Sequence, residues 1–402
     1  MYTLSRTFSL LDPELTIDPY PIYKSLRTEA PVYWDEQLQA WLVSRYADVK
    51  SLLSDSRLTT SMLPPPADDP EQKPRRQIWE MLSKTTYSSP TAKSHSHLRR
   101  LAEKAFTFKV SSMEAQIQQI VDSLLDSVEE AGRTDIAKDI SAPLPAHILS
   151  GLLSVPLAEG ENLKNWGFSM LKLFESPKTT KEEDKQALQV LQAVNSYAQR
   201  LVEQRLQKPK DDMISVMAAE ENSEDPELKG ALIQAVVLLL GGSALAIYPI
   251  TTCMLMLLRH PHQMSKLIDN PKLIDYAIDE TIRYEGPLHW AKRRATKDIE
   301  LHGQLIRQDQ IVLIGLASAN RDETKFSKPD QFDLIPRENH HLAFGHGPHY
   351  CLGAPLFRLQ AQIAINTILH RFKKIRLETS NQQWVNTIST RGLETLPVTF
   401  NI

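Results

Sequence analysis

Most of the chain carries apolar residues at helical spacing, and a smaller part carries them in short runs of β character. Between Glu114 and Gly132, the residues Ile117, Ile120, Val121, Leu124, Leu125 and Val128 form one stripe, and Gly132 is placed to end the helix. A second stripe holds Leu188, Leu191, Val194, Leu201 and Val202. A third runs from Leu356 to Phe372 through Leu359, Ile363, Ile365, Ile368 and Leu369. Pro355 suits its first turn, where a missing N–H costs nothing. His95-Ser96-His97-Leu98-Arg99-Arg100 opens a further helix to about Phe106. Pro19-Tyr20-Pro21 precedes a short helix, after which Val32-Tyr33-Trp34 and Trp41-Leu42-Val43 flank a polar turn as a strand pair. Pro287 leads into a strand from Leu288 to Arg293, and Ile299–Gly303 with Gln310–Ile314 is expected to form a hairpin. The run Leu63 to Pro70 is a proline-rich loop.

One stretch breaks the amphipathic pattern. From Gly230 to Leu258 there is no charged residue. A transmembrane helix has this composition, but Gly241-Gly242-Ser243, Tyr248-Pro249 and Thr251-Thr252 give it a polar, bend-prone middle, which favours a helix buried inside a large protein. Pro249 has no N–H and crowds the carbonyl one turn before it. The helix is therefore expected to bend or open near Gly241 to Leu245.

Composition narrows the classes further. With 402 residues, 42% of them hydrophobic, the chain can bury a large core. Its formal charge of −3 gives no basic field for nucleic acid. The N-terminus lacks a basic-then-apolar leader, so a membrane anchor is not expected. Two cysteines, Cys253 and Cys351, point to a reducing compartment rather than a disulfide framework.

The chemistry centres on Phe344-Gly345-His346-Gly347-Pro348-His349-Tyr350-Cys351-Leu352-Gly353. Two glycines and a proline build a tight loop whose backbone can pass close to a flat partner. Cys351 then sits where a helix begins, so unpaired N–H groups and the helix dipole favour a thiolate. A zinc site needs more ligands than two distant cysteines give, and His349, on the same tight loop, is poorly placed as the base of a cysteine nucleophile. An axial thiolate for haem iron fits the pattern. The run Phe344-Gly345-x-Gly347-x-His349-x-Cys351-x-Gly353 resembles the haem-thiolate loop of the cytochrome P-450 superfamily.

The resemblance spans essentially the whole chain, and it implies a single mainly helical domain over residues 1–402. The β-rich part would come from about 25–60, 288–315 and 375–402, and the helical part from about 66–285 and 352–373. Haem b would lie between the central helix and the cysteine-loop helix. It implies iron ligation by Cys351 and propionate binding by His95, Arg99, Arg293 and His349, with Phe344 and Gly353 beside the sulfur. His95 and Arg99, four apart, share a helix face. Gly241, Ala244 and Leu245 would shape the distal side, and Val237, Leu240, Leu288, His289, Ser389 and Thr390 the substrate pocket. Glu280 and Arg283 would form a buried structural pair, completed by an arginine such as Arg337.

The sequence departs from the family at the distal helix. Many members carry an acid–alcohol pair there that relays protons for O₂ cleavage. Aligning Gly241-Gly242 puts Ala244 and Leu245 in those places. His289, water or a substrate hydroxyl must then supply the protons. The function implied is a cytoplasmic, monomeric haem-thiolate monooxygenase that inserts one oxygen atom of O₂ into a small organic molecule, a specialised metabolite. Electrons would come from a ferredoxin or flavodoxin with its NAD(P)H-dependent reductase, and Arg100, Lys104 and Arg358 are candidates to meet that acidic partner. A peroxide-driven or non-hydroxylating haem-thiolate enzyme is the alternative, and a haem-based sensor a more distant one.

Overall fold

The computed structural model describes residues 8–60, 73–83, 92–175, 180–219, 226–335 and 339–402 except Asn386. The proline-rich run from Leu63 and the candidate Arg337 lie outside the described residues. The chain divides into two compact units, one of residues 1–58, 114–144 and 245–402, the other of 59–113 and 145–244.

The first unit carries the strands. Val32–Asp35 pairs antiparallel with Ala40–Val43, in the register Val32 to Val43. Asp35 fixes the connecting turn, its carboxylate accepting from the N–H groups of Gln37 and Leu38 at 3.0 and 3.1 Å. Ala40–Val43 then runs parallel to Ile311–Gly315, which pairs antiparallel with Trp290–Ala295. Val43, Val312 and Ile314 reach one hydrophobic cluster, and Leu42, Trp290 and Leu313 another, as alternation across a sheet requires.

The expected hairpin is corrected here. Ile299–Leu301 turns back at once into Gln304–Ile306, and Ile311–Gly315 joins the larger sheet instead. The connection is the two residues His302 and Gly303, both at positive φ (51° and 75°), the backbone that a tight hairpin turn demands. Gly303 takes it without strain, so the chain reverses earlier than the hydrophobic pattern alone suggested. A third sheet pairs Pro397–Asn401 with Lys373–Leu377 and with Arg133–Asp135, a short strand inside the stretch expected to be helical.

The amphipathic stripes become helices as their spacing predicts. Glu114–Glu129 buries Ile117, Val121 and Leu125 and packs on Ala354–Arg371 in the same unit. In the second unit, Lys181–Gln207 starts with a capping box, in which Thr180 and Glu183 satisfy each other's backbone N–H groups. It packs with Leu157–Glu175 and with Pro226–Ser243. The helix opened by His95 is longer than expected and spans Ala92–Ser111.

Candidate functional site

The cysteine loop takes its shape from its glycines. Gly345 and Gly347 stand at φ 77° and 72°, which L side chains rarely adopt. A Cβ on Gly347 would also lie 2.3 Å from Ser54 Oγ. The Cys351 N–H donates to the Phe344 carbonyl at 2.8 Å, closing the loop upon itself. Phe344 is buried against Ile282, Ala354 and Phe357, so the loop is anchored by its first residue. The helix Ala354–Arg371 begins directly afterwards, with Pro355 in its first turn.

The two cysteines differ sharply. Cys253 is buried, and burial pushes its thiol up to about 12, against a smaller lowering by a hydrogen bond with Thr281. Cys351 is exposed, and a Cβ on Gly353 would sit 3.7 Å from its sulfur. Among the described residues no cluster of three or more His, Cys, Asp or Glu could hold a metal ion. A metal bound here through Cys351 therefore has to bring its other ligands with it.

The central helix is interrupted, as Pro249 predicts. Pro226–Ser243 is α-helical, Ala244–Ile247 is a 3-10 turn, and a new α-helix, Tyr248–Arg259, starts with Pro249 in its first turn. Proline is harmless there because that N–H has no helical acceptor. The Ala246 carbonyl accepts from Gln360 Nε2 at 3.1 Å, and the Ile247 carbonyl accepts from Ser141 Oγ. Tyr248 to Leu257 are all buried, which is the condition of a core helix rather than a lipid-facing one.

The two positions at the break carry neither an acid nor an alcohol. Ala244 is fully buried and Leu245 half-buried, and neither has a hydroxyl. Ser243 Oγ donates to the Leu240 carbonyl at 2.7 Å, and Thr251 Oγ1 to the Tyr248 carbonyl at 2.8 Å. Ser243 and Thr251 thus each donate to a carbonyl of their own helix. A Cβ on Gly242 would meet nothing within 4 Å, so the backbone borders open space at that point. Val237 is half-buried and Leu240 fully buried on the same helix.

Glu280 and Arg283 form a buried bidentate pair, with Nε to Oε2 at 2.7 Å and Nη2 to Oε1 at 2.8 Å. Arg283 also donates to the carbonyls of Asn320, Pro329 and Gln331. The Asp333 N–H completes the Glu280 carboxylate at 3.1 Å. Asn320 Oδ1 in turn accepts from the Leu342 N–H, two residues before Phe344, which ties the pair to the cysteine loop.

His289 is packed into a buried cluster of aromatic and charged side chains. The His289 ring, 3% exposed, lies among Tyr20, Tyr23 and Trp290, with Nδ1 3.0 Å from the Tyr23 hydroxyl. Trp290 Nε1 donates to that same hydroxyl, so Tyr23 joins the His289 and Trp290 rings. His289 Nε2 stands 4.0 Å from Glu285. Burial, then Arg391 and Arg321, hold its pKa well below the ordinary value, and the ring stays neutral.

Glu285 is the centre of a buried hub that no sequence pattern announced. It accepts from the Tyr20 hydroxyl at 3.0 Å and from Arg391 Nε at 3.1 Å, with Arg321 at 3.8 Å. Arg391 fixes the C-terminal turn containing Ser389 and Thr390. The Ser389 carbonyl accepts from the His289 N–H, and Thr390 bridges to Leu288. A Cβ on Gly392 would strike the Tyr248 ring, so the backbone of this turn packs closely against that side chain.

The remaining candidates lie on separate elements. Arg293 is half-buried on the strand Trp290–Ala295, and His349 is in the 3-10 turn Gly347–His349. His95, buried, and Arg99 share a face of Ala92–Ser111 in the second unit. Burial and then the Arg99 charge lower the His95 pKa.

Comparison with known proteins decides what this arrangement is. The family Cytochrome P450 matches residues 42–398. The biotin biosynthesis cytochrome P450 of Bacillus subtilis (strain 168) is 32% identical over 395 residues, covering 98% of each chain. The chain belongs to the cytochrome P450 family. Nocardicin C N-oxygenase of Nocardia uniformis subsp. tsuyamanensis is also 32% identical, covering 99% of each chain. Among solved structures, P450BioI in complex with hexadec-9Z-enoic acid ligated acyl carrier protein matches with a TM-score of 0.87 at 32% identity, covering 96% of this chain and 100% of that one. The Bacillus subtilis 168 bacillaene polyketide synthase cytochrome P450 PksS matches with a TM-score of 0.86 at 30% identity, covering 98% of this chain and 100% of PksS.

Haem b is the cofactor of cytochrome P450 enzymes, and this P450 chain meets its demands. An exposed sulfur on a loop closed by its own backbone hydrogen bond suits an iron whose remaining ligands are supplied by a macrocycle. The helix that follows Cys351 favours the thiolate form.

Proposed function

We propose that this cytochrome P450 inserts one oxygen atom of O₂ into a small organic molecule of specialised metabolism, with Cys351 as the iron ligand. The observation that carries the reading is the exposed Cys351 on its glycine-shaped loop at the start of Ala354–Arg371. In this reading Arg293, His349, His95 and Arg99 hold the haem propionates, as charged hydrogen-bond donors to carboxylates. The names of its relatives, which include biotin, polyketide and nocardicin enzymes, support the substrate class. The enzyme is cytoplasmic and monomeric, and takes electrons from a ferredoxin or flavodoxin and its NAD(P)H-dependent reductase.

Haem b supplies the redox-active iron at which O₂ is reduced. The chain's own part is to bind the substrate, limit water and deliver protons. Ala244 and Leu245 carry no acid or hydroxyl for delivery, and Ser243 and Thr251 each donate to a carbonyl of their own helix. His289 is neutral and committed to Tyr23. A hydroxyl of the substrate, with water beside Gly242, takes the relay's place.

Two measurements test this. The reduced, CO-bound wild type should show the strongly red-shifted Soret band of thiolate ligation, and Cys351→Ala should lose it; an imidazole-like band in folded wild type overturns the assignment. A deoxy analogue that binds equally well should lower product formed per NAD(P)H, and Leu245→Thr should partly restore it. Undiminished coupling with the analogue rejects substrate assistance, and full turnover on peroxide alone would favour the peroxide-driven reading.

A further inference from the structure

Arg358 is a candidate contact for an electron-donating partner by sequence, and its half-buried guanidinium also reaches the cysteine loop's anchor. Its Nε donates to Asp279 Oδ1 at 2.8 Å, and its Cζ lies 4.7 Å from the centre of the Phe344 ring. Asp279 is also 3.6 Å from Nε2 of His341, whose side chain is almost fully buried and whose ring is 5.8 Å from Phe344. Phe344 is the residue whose carbonyl holds the Cys351 N–H. An ion pair is therefore seated directly behind the cysteine loop, on the ring that anchors it. Burial opposes the charge of Arg358, but Asp279 and Tyr350 outweigh it and keep the guanidinium firmly protonated. Burial likewise opposes the charge of Asp279, and His341 with Arg358 outweigh it, so the carboxylate stays ionised.

We propose that the Asp279–Arg358 pair is a positioning and tuning element that sets how readily the haem accepts an electron. The proposal rests on the reading of Cys351 as the iron ligand. One-electron reduction adds one negative charge at the site, which a nearby cation favours and a nearby anion opposes. The paired charges largely cancel, so the wild-type potential is held between two extremes. Breaking the pair from either side exposes one charge, and the two breaks act with opposite sign. Phe344 transmits the arrangement as packing, because the guanidinium lies on its face and the loop hydrogen bond starts from its carbonyl.

The test is a spectroelectrochemical titration of the haem-loaded enzyme, with the reduced CO spectrum recorded on the same samples. Asp279→Asn should move the haem potential upward, Arg358→Gln downward, and the double variant back toward wild type. Arg358→Lys, which keeps the charge, should stay close to wild type. A merely structural role would lower stability in all of them without this pattern of signs. If the CO band is thiolate-like and neither potential moves, or both move the same way, the proposal is wrong. An unmoved potential with slower reduction of Arg358→Gln by a ferredoxin would return Arg358 to a docking role and overturn it too. A wild type lacking the thiolate band would overturn the ligand reading, and this proposal with it.

Discussion

Replacing Arg283 by alanine should be among the most damaging single changes in the chain, and the reason can be worked from its contacts. The guanidinium makes two bonds to Glu280, at 2.7 and 2.8 Å, and three to the carbonyls of Asn320, Pro329 and Gln331, at 3.0, 2.9 and 3.1 Å. Both side chains are buried, so the variant leaves a carboxylate with only the Asp333 N–H and a long contact from Asn339. Removing one partner of such a pair costs about 3–5 kcal/mol, mostly from the charge left behind. Total stabilities run to about 5–15 kcal/mol, so roughly a fifth or more of the reserve would go. Because the same guanidinium fastens the segment leading to the cysteine loop, haem retention should fall with it. Urea unfolding followed by circular dichroism, with the Soret absorbance read in parallel, measures both. Adding Glu280→Gln should recover part of the loss by removing the orphaned charge. A midpoint change equivalent to less than about 1 kcal/mol in Arg283→Ala would refute the argument. So would a double variant no better than the single one.

Two further outcomes are expected. His289 is buried with Tyr20, Tyr23, Glu285, Arg321 and Arg391 around it, and its folded pKa lies well below that of the unfolded chain. As pH falls through about 6.5 the unfolded chain gains a proton that the folded one refuses, so stability drops below that pH and is restored above it. His289→Gln should flatten this slope in thermal melts between about pH 5 and pH 7.5; slopes equal to wild type would show that the ring is protonated in the fold. Gly347→Ala should cost about 1–2 kcal/mol for the left-handed backbone alone, beyond the contact with Ser54. Adding Ser54→Gly should relieve only the contact, and undiminished haem loading in Gly347→Ala would mean the loop shape is not needed.

Local rules explain why so much was legible beforehand. The cysteine loop depends on glycines at fixed offsets and a helix start, all within ten residues or so of Cys351, and Gly345 and Gly347 stand in the backbone state those offsets implied. Glu280 and Arg283 meet because residues three apart share a helix face, and they do. The interruption near Leu245 follows from one missing N–H at Pro249. The misplaced hairpin shows the limit even of local reading, since Gln304–Ile306 is too short to show a pattern. Gln360 was a readable clue passed over: a buried polar residue on the apolar face of its helix, bonded to the Ala246 carbonyl.

What the sequence determined by itself, then, is everything set by periodicity, backbone chirality and missing donors: the helices, the loop around Cys351, the break in the central helix and the absence of a hydroxyl at Ala244 and Leu245. Tertiary structure alone decided the partners. Glu285 meets Tyr20, Arg321 and Arg391 from far-apart parts of the chain, His289 meets Tyr23, and Arg358 meets Asp279. A side chain's direction along its own element is fixed by local geometry, but a buried charge goes wherever the packed fold supplies its counter-charge, and no spacing in the sequence encodes that meeting.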